Sequence, residues 1–391
     1  MSPGREIGVG CVLCLALLAA TLAPASAQYS VGTGVEYQSY DFDAGLGADG
    51  AQLTLIPIAA RAPISAVEGL TVDLYSAWAE GRVQVENEVL KLSGLVDTGV
   101  RGAYQATPWA LVTVGVNLPT GPSQHSSAEA LVASVLSTDL LGFREATWGR
   151  GFAVTSSVAV ARTVNGFGLG LAASYSHRGA FNPTADDNPG TSADESALEY
   201  QPGSERRVRL GVDRNFGNST MTLGATLINY AQDQANGRNL FQAGNRLRFD
   251  GTYAFRMGGG VWTLYAADLL RQNGDLSLIV LDSQGDSVDI AEVDTPKQNL
   301  IIGGVTGHVA LGGGFVFRPH VDAKVQSRED SAGSTAGSGW LIGAGGDIPV
   351  RIFGNEFFPK ARVLLGKMKD PDEQSVSVFG LEFSGTMRFS L

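Results

Sequence analysis

The sequence predicts an all-β chain: an antiparallel up-and-down barrel of about 16 strands, with about 14 as the alternative. Three observations carry that expectation. The last stretch, Ser375 to Leu391, alternates strictly between apolar and polar residues. Similar segments recur along the chain in even number, and the connections between them alternate between short and long.

The C-terminal stretch shows the element type. In SVSVFGLEFSGTMRFSL, Phe379, Leu381, Phe383, Met387, Phe389 and Leu391 take every second position, while Glu382, Ser384, Thr386, Arg388 and Ser390 fill the others. That is the period of a strand. An open edge running to the last residue invites aberrant pairing, so its expected partner is the first strand, Tyr29 to Asp41. The pattern resembles the C-terminal signal of bacterial outer-membrane β-barrel proteins, with Leu391 where those usually carry Phe. That resemblance implies the barrel-assembly machinery as a partner.

At the other end, Arg5 precedes an apolar run from Val9 to Ala23, followed by Pro24-Ala25-Ser26-Ala27. This reads as a signal peptide over 1–27, leaving 28–391 as one barrel domain. The two cysteines, Cys11 and Cys14, fall in the leader, so a disulfide-stapled scaffold is excluded. No later window holds the roughly 18 apolar residues of a membrane helix. The net charge of −11, without a basic stripe, excludes nucleic acid as a partner.

Strands are expected near 29–41, 50–61, 69–80, 94–106, 108–118, 150–162, 166–178, 204–215, 218–231, 244–256, 260–272, 297–309, 312–326, 339–350, 357–369 and 375–391. In the best of them one face is bulky, as in Phe167, Leu169, Leu171, Ala173 and Tyr175. The opposite faces carry Arg207, Arg209 and Asp213; Arg246, Arg248 and Asp250; Arg318, His320, Asp322 and Lys324; and Lys360 with Arg362. A polar interior inside an apolar exterior is the pattern of a membrane barrel. Tight turns at 105–108, 163–165, 216–217, 257–259 and 310–311 alternate with long loops at 119–149, 179–203, 232–243, 273–296 and 327–338. Short turns on one rim and long loops on the other is the layout of an outer-membrane barrel. Outer-membrane lipid and lipopolysaccharide would then be its surroundings.

One loop has a different period. Between Ser126 and Gly142, the residues Leu131, Val132, Val135, Leu136 and Leu140 form one helical face, Ser126 with Glu129 reads as a capping box, and Gly142 as a stop. An apolar-faced helix on a loop must bury that face. It either narrows the barrel entrance or packs on the rim.

Gly115-Val-Asn-Leu-Pro-Thr-Gly121, with Gly94-Leu-Val-Asp-Thr-Gly-Val-Arg-Gly-Ala-Tyr104, resembles the strand-turn-strand region of the phenol-degradation-pathway (MetA-like) outer-membrane family. More loosely it is similar to the FadL-like transporters of hydrophobic compounds. The resemblance implies passage of small hydrophobic or aromatic compounds. FadL-like barrels carry a plug segment before the first strand, for which there is no room here if strand one follows Gln28.

Chemistry finds little support. The four histidines, His125, His177, His308 and His320, offer His125 beside Ser126 and Ser127, or His177 beside Ser176. Adjacent strand residues face opposite ways, so neither pair makes a nucleophile and its base. The acidic clusters Asp186, Asp187, Asp194 and Glu195, and Asp282, Asp286, Asp289, Glu292 and Asp294, lack the spacing of a calcium loop. No catalytic, cofactor or metal residue is nominated. The lumenal arginines either attract anions or pair across strands to hold the lumen in shape. The expected function is an outer-membrane channel for passive uptake of small solutes. The alternatives are a structural or adhesive barrel with a closed lumen, or an outer-membrane hydrolase.

Overall fold

The computed structural model describes residues 29–43, 46–145, 148–183, 199–281, 287–313, 315–330, 332–352 and 354–390, with backbone alone at 277–281, 287–292 and 390. The expected signal peptide, the cluster Asp186 to Glu195, and Asp282 and Asp286 lie outside those residues. Leu391 does too.

The strands are β1 (Ser30–Phe42), β2 (Gly50–Pro63), β3 (Leu70–Val85), β4 (Glu88–Leu95), β5 (Thr98–Thr107), β6 (Ala110–Leu118), β7 (Ala153–Val164), β8 (Phe167–Arg178) and β9 (Tyr200–Gln201). They continue as β10 (Glu205–Phe216), β11 (Ser219–Tyr230), β12 (Asp233–Ala235), β13 (Arg238–Gln242), β14 (Arg246–Met257), β15 (Gly260–Arg271), β16 (Asp275–Leu281) and β17 (Ser287–Asp294). The last are β18 (Lys297–Gly312), β19 (Phe315–Glu329), β20 (Gly339–Asp347), β21 (Val350–Ile352), β22 (Asn355–Lys369) and β23 (Ser375–Ser390), and the helix α1 is Ser127–Leu136.

Eighteen of these strands form one sheet. β4 and β5 share one place beside β3, and β20 and β21 share one beside β22, so the sheet is a ring of 16 antiparallel staves. The ring closes where expected. β1 pairs with β23 from Ser30 opposite Ser390 to Phe42 opposite Val378. Closure satisfies every ladder with no free edge, which is what makes strands viable in lipid. At the β7–β8 turn both Asn165 and Gly166 have positive φ, 51° and 78°. A two-residue Asn-Gly turn of this hand matches the twist of the flanking strands.

The outer face is apolar and bare. Leu210 is 58% exposed, Val325 52% and Phe383 49%; such residues along every stave belong against hydrocarbon, not water. With them on β23 stand Phe379, Leu381, Met387 and Phe389, on the same alternation.

Four details differ from expectation. β3 and β4 run on past the expected strand ends as a hairpin turning at Glu86, so 81–93 is ladder, not loop. The long connections at 179–203, 232–243 and 273–296 contain strands: β9, β12, β13, β16 and β17 make a separate five-stranded sheet on the long-loop rim. The expected turn at 310–311 falls later, because β18 continues to Gly312. The helix stops at Leu136, capped by Ser137, and Gly142 (φ 66°) ends the following turn instead.

Candidate functional site

The loop between β6 and β7 folds into the ring. Its root is a clasp built on Asp97, at the break between β4 and β5. Asn117 Nδ2 donates to Asp97 Oδ2 (2.8 Å), the Gly121 N–H to Oδ1 (3.1 Å) and the Arg150 N–H to Oδ2 (2.7 Å). One carboxylate thus gathers both ends of the loop. Three charge-assisted bonds make it a strong closure. The Asn117-Leu-Pro-Thr-Gly121 motif is therefore structural at its core: Thr120 Oγ1 also donates to the Val96 carbonyl (3.0 Å). A Cβ on Gly121 would lie 2.2 Å from the Trp148 carbonyl oxygen, so only glycine passes there.

α1 begins in the expected capping box. The Glu129 N–H donates to Ser126 Oγ (3.3 Å) and the Ser126 N–H to Glu129 Oε2 (3.0 Å). Val132 and Leu136, then Leu140, Leu141 and Trp148, are fully buried with Leu53, Leu55, Ala79, Val83 and Leu92 of β2 to β4. Val135 is half-buried, but Leu131 is 42% exposed and does not share the face assigned to it. The helix is short enough that its apolar arc is wider than its contact. Gly81 makes the approach close, and Trp148 Nε1 donates to the Ala79 carbonyl (3.0 Å).

Beyond the helix the loop crosses to the far wall. The carbonyl of Leu141 accepts from Tyr40 Oη (2.6 Å), and those of Leu140 and Leu141 accept from Lys324 Nζ (3.3 and 3.4 Å). Gln298 Nε2 donates to Asp139 Oδ2 (2.8 Å). Returning, Arg144 pairs with Glu36, and Tyr75 Oη donates to Glu145 Oε1 (3.1 Å). Burial raises the Glu145 carboxyl above its ordinary range; the Tyr75 hydrogen bond, Arg150 and Arg144 oppose it. One segment touching Tyr40, Tyr75, Gln298 and Lys324, which the registers place on a single face of the ring, must lie inside it. By the registers Arg207, Arg209, Asp213, Arg246, Arg248, Asp250, Arg318, His320, Asp322, Lys324, Lys360 and Arg362 lie on that same face of their strands.

Those residues divide into two groups. Around β19 to β23 they are paired. Arg362, 8% exposed, donates from Nη1 to Glu382 Oε1 and Oε2 (3.2 and 3.1 Å) and from Nη2 to Asp322. Asp322 also accepts from His320 (3.1 Å), Arg318 pairs with Asp347, and Lys360 reaches within 4.0 Å of Glu382. Lys324 is spent on the loop carbonyls. This half of the ring is a scaffold for the loop.

The opposite half differs. Arg209 forks onto Asp250 (2.8 and 2.7 Å) with a further bond to Thr226, and Arg248 Nε stands 3.3 Å from the same carboxylate. Arg207 bonds Glu205 (2.6 Å). Arg246, however, lies directly across from Arg271 of β15 and has the Tyr230 ring at 5.6 Å. Neither Arg246 nor Arg271 has an ion pair among the described residues. These five arginines and Asp139 of the loop line a cavity of about 280 Å³. Asp213 sits apart, lower on β10 and opposite Gly168 and Thr222. Sequence reasoning missed Arg271, Asp139, Asp97 and Trp148. Arg271 ends an Asp268-Leu-Leu-Arg271 run whose alternation is broken, and the others signal nothing locally.

The remaining candidates do not converge. His177 lies on the outer face of β8, His125 in the inserted loop and His308 low on the inner face of β18. Among the described residues no three of His, Cys, Asp and Glu group to hold a metal.

A closed 16-stave ring with a bare apolar exterior, charged interior, short turns on one rim and long loops on the other defines a bacterial outer-membrane β-barrel protein. No family model and no curated protein matches the sequence. Among solved structures, OprB of Pseudomonas putida is similar over 97% of both chains at 10% identity, with a TM-score of 0.53. OccK9 (OpdG) of Pseudomonas aeruginosa aligns over 93% of this chain and 99% of its own at 12% identity (TM-score 0.45). An anion-selective porin from Comamonas acidovorans aligns over 93% and 99% at 11% identity (TM-score 0.42). The likeness to OprB is one of fold.

Proposed function

We propose that the protein is a passive outer-membrane channel for small anionic solutes, narrowed by the loop between β6 and β7. The observation that carries this is the cross-strand pair Arg246 and Arg271, two cations facing one cavity without an ion partner among the described residues. Like charges placed directly opposite destabilise a ladder. Their position is accounted for by a ligand of opposite sign passing in front of them. Asp139 on the loop side would set the other edge of the field. Carboxylates suit guanidinium forks, and aromatic acids unite that charge with the aromatic compounds that the Asn117-to-Gly121 resemblance implies.

The test is the reversal potential across a planar bilayer in a salt gradient. The unmodified channel should prefer anions, and the double variant Arg246→Gln/Arg271→Gln should lose most of that preference. An unchanged reversal potential sinks the proposal. Liposome swelling with sugars and with benzoate adds the substrate class. The wall-to-wall anchoring of the loop through Tyr40, Gln298 and Lys324 favours a second reading, a closed structural barrel; failure of both solutes to enter would establish it.

A further inference from the structure

We propose that the outer face of β7 to β10 near its short-turn rim holds an anionic phospholipid of the periplasmic leaflet, its phosphate between Arg162 and Arg214 and an acyl chain in the groove above. Arg162 of β7 and Arg214 of β10 lie on the lipid side of the wall, diagonal to one another across β8: Arg162 stands opposite Leu169, and Arg214 opposite Phe167. Both are two residues from a short turn. An arginine on the lipid face of a barrel is unfavourable unless it reaches the interface.

Neither guanidinium has an ion pair among the described residues. Arg162 stacks 5.4 Å from the Trp109 ring centre, and Arg214 lies 4.3 Å from Phe167 and 5.0 Å from Phe216. An aromatic face holds the cation without neutralising it. Beside them Val160, Leu169, Leu171, Leu210 and Val212 line an open groove of about 520 Å³ on the same face. Two cations at the foot of an apolar groove complement one molecule with a phosphodiester and a hydrocarbon chain. By the registers, the outward positions of β6, β7, β8, β10 and β11 carry no carboxylate. An ethanolamine ammonium would find no counter-charge, so a net-anionic headgroup is favoured over a zwitterionic one.

The experiment is native mass spectrometry of the full barrel in detergent, titrated separately with phosphatidylglycerol and phosphatidylethanolamine. The unmodified protein should retain one phosphatidylglycerol preferentially. Arg162→Gln/Arg214→Gln should weaken retention about 25-fold, about fivefold for each arginine. Arg206→Gln, outward at the opposite end of β10, should change nothing. Unchanged retention in the double variant, equal retention of the two lipids, or an equal loss in Arg206→Gln overturns the proposal. A second readout needs no arginine variant: bromine-labelled phosphatidylglycerol should quench the Trp109 fluorescence, taken as the difference from Trp109→Phe, more than labelled phosphatidylethanolamine does. Equal quenching also overturns it.

Discussion

Replacing Gly81 by alanine tests whether the loop is seated inside the wall as described. A Cβ at Gly81 would lie 2.5 Å from Leu136 Cδ1, 2.9 Å from Trp148 Cη2 and 3.1 Å from Val132 Cγ1. Carbon atoms rest at about 3.5–4.0 Å, so α1 and the indole must withdraw from the wall by roughly 1 Å, into the lumen. Leu136 can rotate, but Trp148 is pinned by its bond to Ala79 and by the Asp97 clasp below it. Overpacking of this kind costs about 1–3 kcal/mol. The direction is informative because glycine to alanine within a strand otherwise tends to stabilise. Gly115, also on the inner face, is the control: its Cβ would meet only the Val100 carbonyl, at 3.8 Å. Gly81→Ala should lower single-channel conductance and the temperature at which heat-resistant gel mobility is lost, and Gly115→Ala should lower neither. If both variants behave alike, the helix is not seated on β3.

Deleting Ser127 to Leu141 should raise single-channel conductance, and an unchanged value would place the constriction elsewhere. Arg362→Met should destabilise the barrel by about 3–5 kcal/mol, because it leaves buried Asp322 and half-buried Glu382 without their shared cation; denaturant unfolding in detergent measures it, and a loss below 1 kcal/mol would refute the network. Glu145 has a folded-state pKa raised by burial, so its contribution is fully present below the ordinary carboxyl range and is lost as pH rises through the raised value. Glu145→Gln keeps an acceptor for Tyr75 and should therefore stabilise the loop at neutral pH, with the gain vanishing at pH 4; hydrogen exchange of the loop amides is the readout, and a gain confined to low pH would reverse the sign of the argument.

How much of this was legible depends on whether the information is local. Strand faces were, because alternation is a property of neighbours: Phe379, Leu381 and Phe383 point one way whatever they pair with. Closure followed, since a two-faced terminal strand needs a partner. The capping box at Ser126 and Glu129 likewise specified a helix start. What holds that helix could not be read, because the seat is Gly81, some fifty residues earlier, and a glycine in a strand carries no label for what approaches it. Leu131 lies off the seat for a related reason: in a ten-residue helix the sequence offers an arc of apolar residues and the wall selects part of it. β12 and β13 are too short and polar to show a period. The clasp on Asp97 joins three chain segments, and only the folded loop brings them together.

The two halves of the lumen use arginine in opposite ways, and the contrast bears on function. Arg362 is enclosed by two carboxylates, the arrangement that makes a buried guanidinium tolerable. It acts on the loop only through the wall it stiffens. Arg246 and Arg271 break the rule that Arg362 obeys, facing each other across a ladder with a tyrosine ring and a single loop carboxylate in the vicinity. A chain of net charge −11 does not lack acids to place beside them; Glu205 and Asp250 are given to the neighbouring arginines instead. Local rules are broken at functional sites and compensated elsewhere, and here the compensation is visible: the closed ring and the paired half supply the stability against which an unpaired cationic half can be held open to a passing anion.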